Sequence, residues 1–112
     1  MTLLLSQSSV SLEARGHTLK VSGDVDVNAA AELAAAGVKW LKASGLFEAA
    51  FDFTDVSVAS SVAISVLFEW MRTCHRQQIT IASILLSAPL MRLASLAELD
   101  ELIAHPDTAL ST

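Results

Sequence analysis

The sequence has only one cysteine, Cys74, and three histidines that lie far apart. A single cysteine excludes an internal disulfide and any metal site built from several cysteines. None of the histidines has a partner at the spacing of a metal-ligand pair. We therefore expect neither a metal nor a cofactor.

Basic residues are also scarce. Seven lysines and arginines stand against twelve aspartates and glutamates, which gives a net charge of −5. Nucleic acids and anionic lipid surfaces both attract proteins through basic residues. The sequence therefore predicts no nucleic-acid partner and no adsorption to anionic lipid.

Long apolar runs are missing, although 53% of the residues are hydrophobic and only 17% are charged. The longest candidate, Ser57 to Met71, is interrupted by serines and by Glu69, whereas a membrane-spanning helix needs ~20 apolar residues. Met1 to Leu5 lacks the basic start and the length of a signal peptide. High apolar content with few charges argues against a disordered tail. We therefore expect residues 1–112 to form one cytoplasmic domain with no direct membrane insertion.

Alternating apolar and polar residues at Val10 to Glu13 and at Thr18 to Ser22 predict a β-hairpin. The pattern becomes helical at Asn28, which is a possible N-cap, and Gly45 is suited to end this helix. Its predicted buried face comprises Leu33, Gly37, Trp40 and Leu41.

Two apolar strands and two helices are predicted further along the chain. The strands are Ala49 to Phe53 and Ile79 to Leu85. Ser60 or Ser61 can cap a helix that runs to about Gln77, and Ser87-Ala88-Pro89 is typical of another helix start. The order β-β-α-β-α-β-α predicts an α/β domain with a mixed β-sheet and helices packed on it. The buried face of the last helix is predicted to comprise Leu90, Leu93, Ala94 and Ala97.

Three segments carry a family resemblance. Gly23-Asp24-Val25-Asp26 follows the second strand, Asp52 to Ala63 reads Asp-Phe-Thr-Asp-Val-Ser-Val-Ala-Ser-Ser-Val-Ala, and Ile79 to Leu102 ends in Leu-Ala-Glu-Leu-Asp-Glu-Leu. In this order and spacing they resemble the STAS domain, which is shared by sulfate transporters and anti-sigma-factor antagonists. The resemblance covers residues from about 10 to 103. It implies a single STAS-like α/β domain.

Ser61 occupies the position that a partner kinase phosphorylates in the antagonist members. Ser60 replaces the aspartate of that motif, and Ala63 replaces its glycine. These departures and the short chain are similar to the MlaB-type members, which are accessory subunits of a phospholipid-transporting ABC complex. The resemblance implies a non-catalytic subunit that binds the cytoplasmic ATPase subunit, and the permease through it, in maintaining outer-membrane lipid asymmetry. The alternative is an anti-sigma-factor antagonist regulated by phosphorylation at Ser61.

The second helix has three stripes of residues at about 100° per residue. Val62, Val66 and Trp70 lie off the main core face, so they either pack against a neighbouring helix or form an exposed patch for a partner. In the second case Trp70 would be a binding hot spot. Ile64, Leu67, Phe68 and Met71 are predicted to face the sheet, and Ser61, Ser65, Glu69, Arg72 and Arg76 to face solvent. With the family resemblance, these stripes give the predicted partner-binding residues Ser60, Ser61, Val62, Ser65, Val66 and Trp70.

No catalytic constellation is apparent. No motif places a base that could activate Ser60 or Ser61 as a nucleophile, so we do not expect an enzyme. Four aspartates, by analogy with STAS domains, are expected to cap turns and helix starts rather than to bind a metal. They are Asp24, Asp26, Asp52 and Asp55.

Overall fold

The computed structural model describes residues 2–58, 60–99 and 103–104. Ala59 of the second family segment and Asp100 to Leu102 of the third lie outside the described residues. The elements in chain order are β1 (Thr2–Ser6), β2 (Val10–Arg15), β3 (Thr18–Gly23), α1 (Val27–Ser44), β4 (Glu48–Val56), α2 (Ser61–Arg76), β5 (Thr80–Leu86) and α3 (Ala88–Leu96).

The strands form one mixed sheet in the order β1-β2-β3-β4-β5. The pairs β1–β2 and β2–β3 are antiparallel, whereas β3–β4 and β4–β5 are parallel. The two parallel crossovers step in the same direction, and the right-handed rule therefore places α1 and α2 on the same face of the sheet. The two helices contact each other, as this arrangement requires. The predicted α/β class, mixed sheet and element order from β2 onward are confirmed.

The strand β1 was not predicted. It pairs with β2, and its register shifts between Leu3 and Leu5. The run Leu3 to Leu5 has no alternation of apolar and polar residues, so a pattern of period two does not detect it. In the structure Leu4 and Leu5 are half-buried against the core.

The start of α1 differs from the prediction. Asp26, not Asn28, is the N-cap, and its carboxylate accepts a hydrogen bond of 2.8 Å from the Ala29 N–H. The helix therefore begins at Val27, and Asn28 is exposed on its first turn. The predicted stop is confirmed, because Gly45 has the left-handed φ of 66° that favours glycine.

The starts of α2 and α3 follow the prediction. Ser60 caps α2 by accepting a hydrogen bond from the Val62 N–H at 3.1 Å, and Ser87 caps α3 with proline in the first turn. However, α3 ends at Leu96, so Ala97 is an exposed C-cap residue and not part of the buried face. Among the described residues, no helix is long and apolar enough to cross a membrane.

The core lies between the helices and one face of the sheet, and its largest side chains meet at Trp70 of α2. The indole lies 5.6 Å, centroid to centroid, from the rings of both Phe51 and Phe53 on β4. On its other side it lies against Gly37 of α1, where a Cβ would stand 2.3 Å from the indole Nε1 and Cε2. Gly37 is therefore the position at which α1 leaves room for the indole.

We predict that Gly37→Ala destabilises the domain. In an uncrowded helix this change stabilises by ~1 kcal/mol through backbone propensity, but here the new methyl group overpacks against the indole, at a typical cost of ~1–3 kcal/mol. Urea unfolding of both proteins measures the difference.

A double-mutant cycle with Trp70→Phe provides the control, because phenylalanine lacks the second ring that the methyl group meets. Gly37→Ala should cost less in the Trp70→Phe background. An increase in stability from Gly37→Ala alone would contradict the packing described.

Candidate partner-binding surface

The three helices all begin at one edge of the sheet. The strands β3, β4 and β5 are parallel, so their carboxyl ends share this edge, and each is followed by a helix N-terminus. Ser60 is half-buried and engaged as the cap of α2, while Ser61, the first residue of that helix, is exposed. The neighbouring serines therefore differ in role: Ser60 is the cap, and Ser61 is the exposed one of the two.

The stripes predicted for α2 are largely confirmed. Ile64, Leu67 and Met71 are buried and Phe68 is half-buried. The opposite stripe is exposed at Ser61, Ser65, Arg72 and Arg76, with Glu69 half-exposed. Ser65 also bonds back to its own helix, donating to the Ser61 carbonyl at 3.0 Å.

The possibility that Trp70 belongs to an exposed patch is wrong. Its side chain has 0% relative exposure, and its Nε1 donates a hydrogen bond of 3.1 Å to the Ala34 carbonyl of α1. Val66 is likewise buried, and Val62 is half-buried. The third stripe therefore packs against a neighbouring helix, because the glycine at position 37 lets α1 approach closely enough to cover it.

A surface groove of about 520 Å³ lies between α1 and α2. It brings together Val62, Ser65 and Val66 from the predicted set, but not Trp70, which lies beneath. We call it the α1–α2 groove. Its wall from α1 consists of Ala30, Ala31, Ala34, Ala35 and Val38, and its wall from α2 of Val62, Ser65, Val66, Glu69 and Arg72.

Charges gather at one end of this groove. Arg72 donates a hydrogen bond of 2.6 Å to Glu69, and this bond, with lesser contributions from the charges of Arg72, Arg76 and Lys42, holds the pKa of Glu69 below its ordinary value. Lys42 belongs to α1 and Arg76 to α2, so cations from both helices lie near the same carboxylate.

The four aspartates have structural partners. Asp26 caps α1, and Asp52 accepts hydrogen bonds from the N–H and the hydroxyl of Thr54. Asp24 accepts a hydrogen bond from the Ser57 hydroxyl, and Asp55 pairs with Lys20 at 3.1 Å. Within the described residues no group of three or more His, Cys, Asp or Glu side chains could hold a metal ion.

Two features of this surface were not indicated by the sequence patterns. Val58, in the loop before Ser60, is 53% exposed, and the alanines of α1 form a wall of the groove. Val58 was detectable as an apolar residue in a polar loop. The alanine wall was not, because alanine fits both buried and exposed helical positions.

The fold and this edge define the class of protein. A mixed sheet carries the crossover helices α1 and α2 on one face, and a serine-capped helix follows β4. The STAS family model described as "Mlab, STAS domain" matches residues 8–104. The chain therefore belongs to the STAS domain family, whose members are generally not enzymes. A search among curated proteins gives no match.

The different roles of Ser60 and Ser61 give a test of stability. Ser60→Ala removes the cap of α2 and should cost about 0.5–2 kcal/mol of unfolding free energy. Ser61→Ala changes an exposed residue and should stay within about 0.5 kcal/mol of the parent. Denaturant unfolding compares the two variants, and equal losses would show that Ser60 is not the effective cap.

Proposed function

We propose that this protein is a non-catalytic accessory subunit that binds the cytoplasmic ATPase subunit of an ABC phospholipid transporter, and through it the permease, and supports assembly or activity of the complex. The first turn of α2 forms the centre of the contact, with Ser61 as a direct contact residue. The protein acts in the cytoplasm, peripheral to the membrane that holds the transporter.

The observation that carries this proposal is the exposed edge around Ser61. Val58, three residues before Ser61, is exposed, and Val62, the residue after it, is half-buried, so this short segment offers both a hydroxyl and apolar groups. Apolar groups mixed with hydrogen-bonding groups are typical of protein interfaces. The match to a family model described with the Mlab name supports the choice of transporter.

The same exposed serine favours a second candidate function, an anti-sigma-factor antagonist switched by phosphorylation at Ser61. A phosphate at the first turn of a helix is stabilised by the free N–H groups and by the helix dipole. Against it, Ser60 and Ala63 replace the aspartate and the glycine of the antagonist motif.

Binding to the ATPase subunit of the transporter, measured by calorimetric titration, tests the first function. Ser61→Ala should have little effect, because a single contact hydroxyl typically contributes ~0.5–1.5 kcal/mol. Ser61→Asp should weaken binding more, because a charge must then be desolvated in the interface. Ser83→Asp is the matched control, since Ser83 is exposed on β5 and pairs with Ala50 on the sheet face away from α2.

Intact mass of the protein from cells separates the two functions. The transporter subunit should be unmodified at Ser61 and should bind the ATPase. A large phosphorylated fraction at Ser61, together with no binding to the ATPase, would favour the antagonist and reject the transporter role.

A further inference from the structure

The α1–α2 groove runs beside a set of basic residues. It is lined along α1 from Ala30 to Val38 and along α2 from Val62 to Arg72. Over the range on α2 the helix rises about 15 Å, which is the length of a docked helix of about 10 residues. Seven of the ten lining residues are alanine or valine, and the three polar ones all belong to α2.

Three of the seven basic residues of the chain belong to the later turns of these two helices and lie near Glu69: Lys42, Arg72 and Arg76. We call them the basic cluster. All three are exposed, and Glu69 is paired with Arg72. On a chain with a net charge of −5, this end of the groove is locally positive. The helix dipoles favour cations in the last turns of α1 and α2, but they do not explain the apolar groove beside those cations.

We propose that the groove binds an amphipathic α-helix of a partner protein, with small aliphatic residues on its buried face and carboxylates at the end that meets the basic cluster. The inference rests on the proposed function only in treating the transporter ATPase as one source of this helix.

The apolar lining of the groove favours the binding of a helix over that of an extended segment. A helix satisfies its own backbone N–H and C=O groups, whereas an extended chain would leave some of them against alanine and valine with no hydrogen-bond partner. The small side chains of α1 also allow the close axial approach of packed helices.

The charges also select an orientation. The crossover helices α1 and α2 run in the same direction, so both C-termini lie at the basic end. A helix that runs antiparallel to them places its own N-terminus there. Carboxylates in its first turns then stabilise its dipole and pair with the basic cluster.

Fluorescence anisotropy with the full chain and two stapled helical peptides of about 16 residues tests this inference. The peptides share an alanine- and leucine-rich face, and one carries three glutamates in its first two turns where the other carries lysines. The glutamate peptide should bind at least about tenfold more tightly, and its affinity should fall with added salt.

Variants of the chain locate the site. Lys42→Glu/Arg76→Glu should weaken binding of the glutamate peptide about tenfold or more, and Ala35→Glu should block the groove. Arg92→Glu, an exposed cation on α3, is the control and should leave binding unchanged. All these positions are exposed, and melting curves should confirm that each variant is folded.

Several results would overturn the inference: equal binding of the two peptides, no binding, self-association through the groove, or binding only to vesicles containing phosphatidylglycerol. The ATPase titration separates this inference from the proposed function. If neither peptide binds and the ATPase binds the groove variants as well as the parent, the groove inference fails and the proposed function stands. If the glutamate peptide binds and the ATPase does not, the groove inference stands and the proposed function fails.

Discussion

The contact between Trp70 and Gly37 is the constraint on which the rest of this domain depends. The indole is enclosed by the sheet on one side and by α1 on the other, and it donates its one hydrogen bond to the Ala34 carbonyl. A buried indole N–H without an acceptor is costly, so this bond fixes the position of α1 relative to α2. The absence of a side chain at Gly37 makes the approach possible. The Trp70 side chain of α2 therefore contacts both α1 and the strand β4.

The rotation of α2 that follows from this contact determines which residues are accessible. With Trp70 and Val66 turned towards α1, Val62 and Ser65 lie at the rim of the groove, and Ser61 is left at the open edge. The helix thus presents hydroxyl groups at its start and arginines at its end. A change that loosened the indole contact would shift all of these groups together, so a defect in partner binding alone would not show that Trp70 touches the partner.

Sequence patterns predicted the strands β2 to β5, the helix starts at Ser60 and Ser87, and the main core face of α2, because these depend on local periodicity and capping. They could not predict whether the stripe of Val62, Val66 and Trp70 is buried or exposed. That outcome depends on how closely another helix approaches, which Gly37 controls from 33 positions away in the sequence. The error at Asn28 was different in kind, because Asp26 and Asn28 are both good caps and only the path of the chain after β3 selects between them.

Because α1 and α2 run parallel to each other, the two ends of the surface that they form differ in chemistry. Helices that cross the same way between parallel strands bring their N-termini to one edge and their C-termini to the other. In this chain the exposed edge around Ser61 and the basic cluster therefore lie at opposite ends of one helical face. The distance along α2 from Ser61 to Arg76 is about 23 Å. A typical protein interface covers ~800 Å² of each partner, which is large enough to include both ends. A partner that contacts Ser61 is thus positioned to extend along the groove, and its carboxylates would be attracted to one end only, which fixes its orientation.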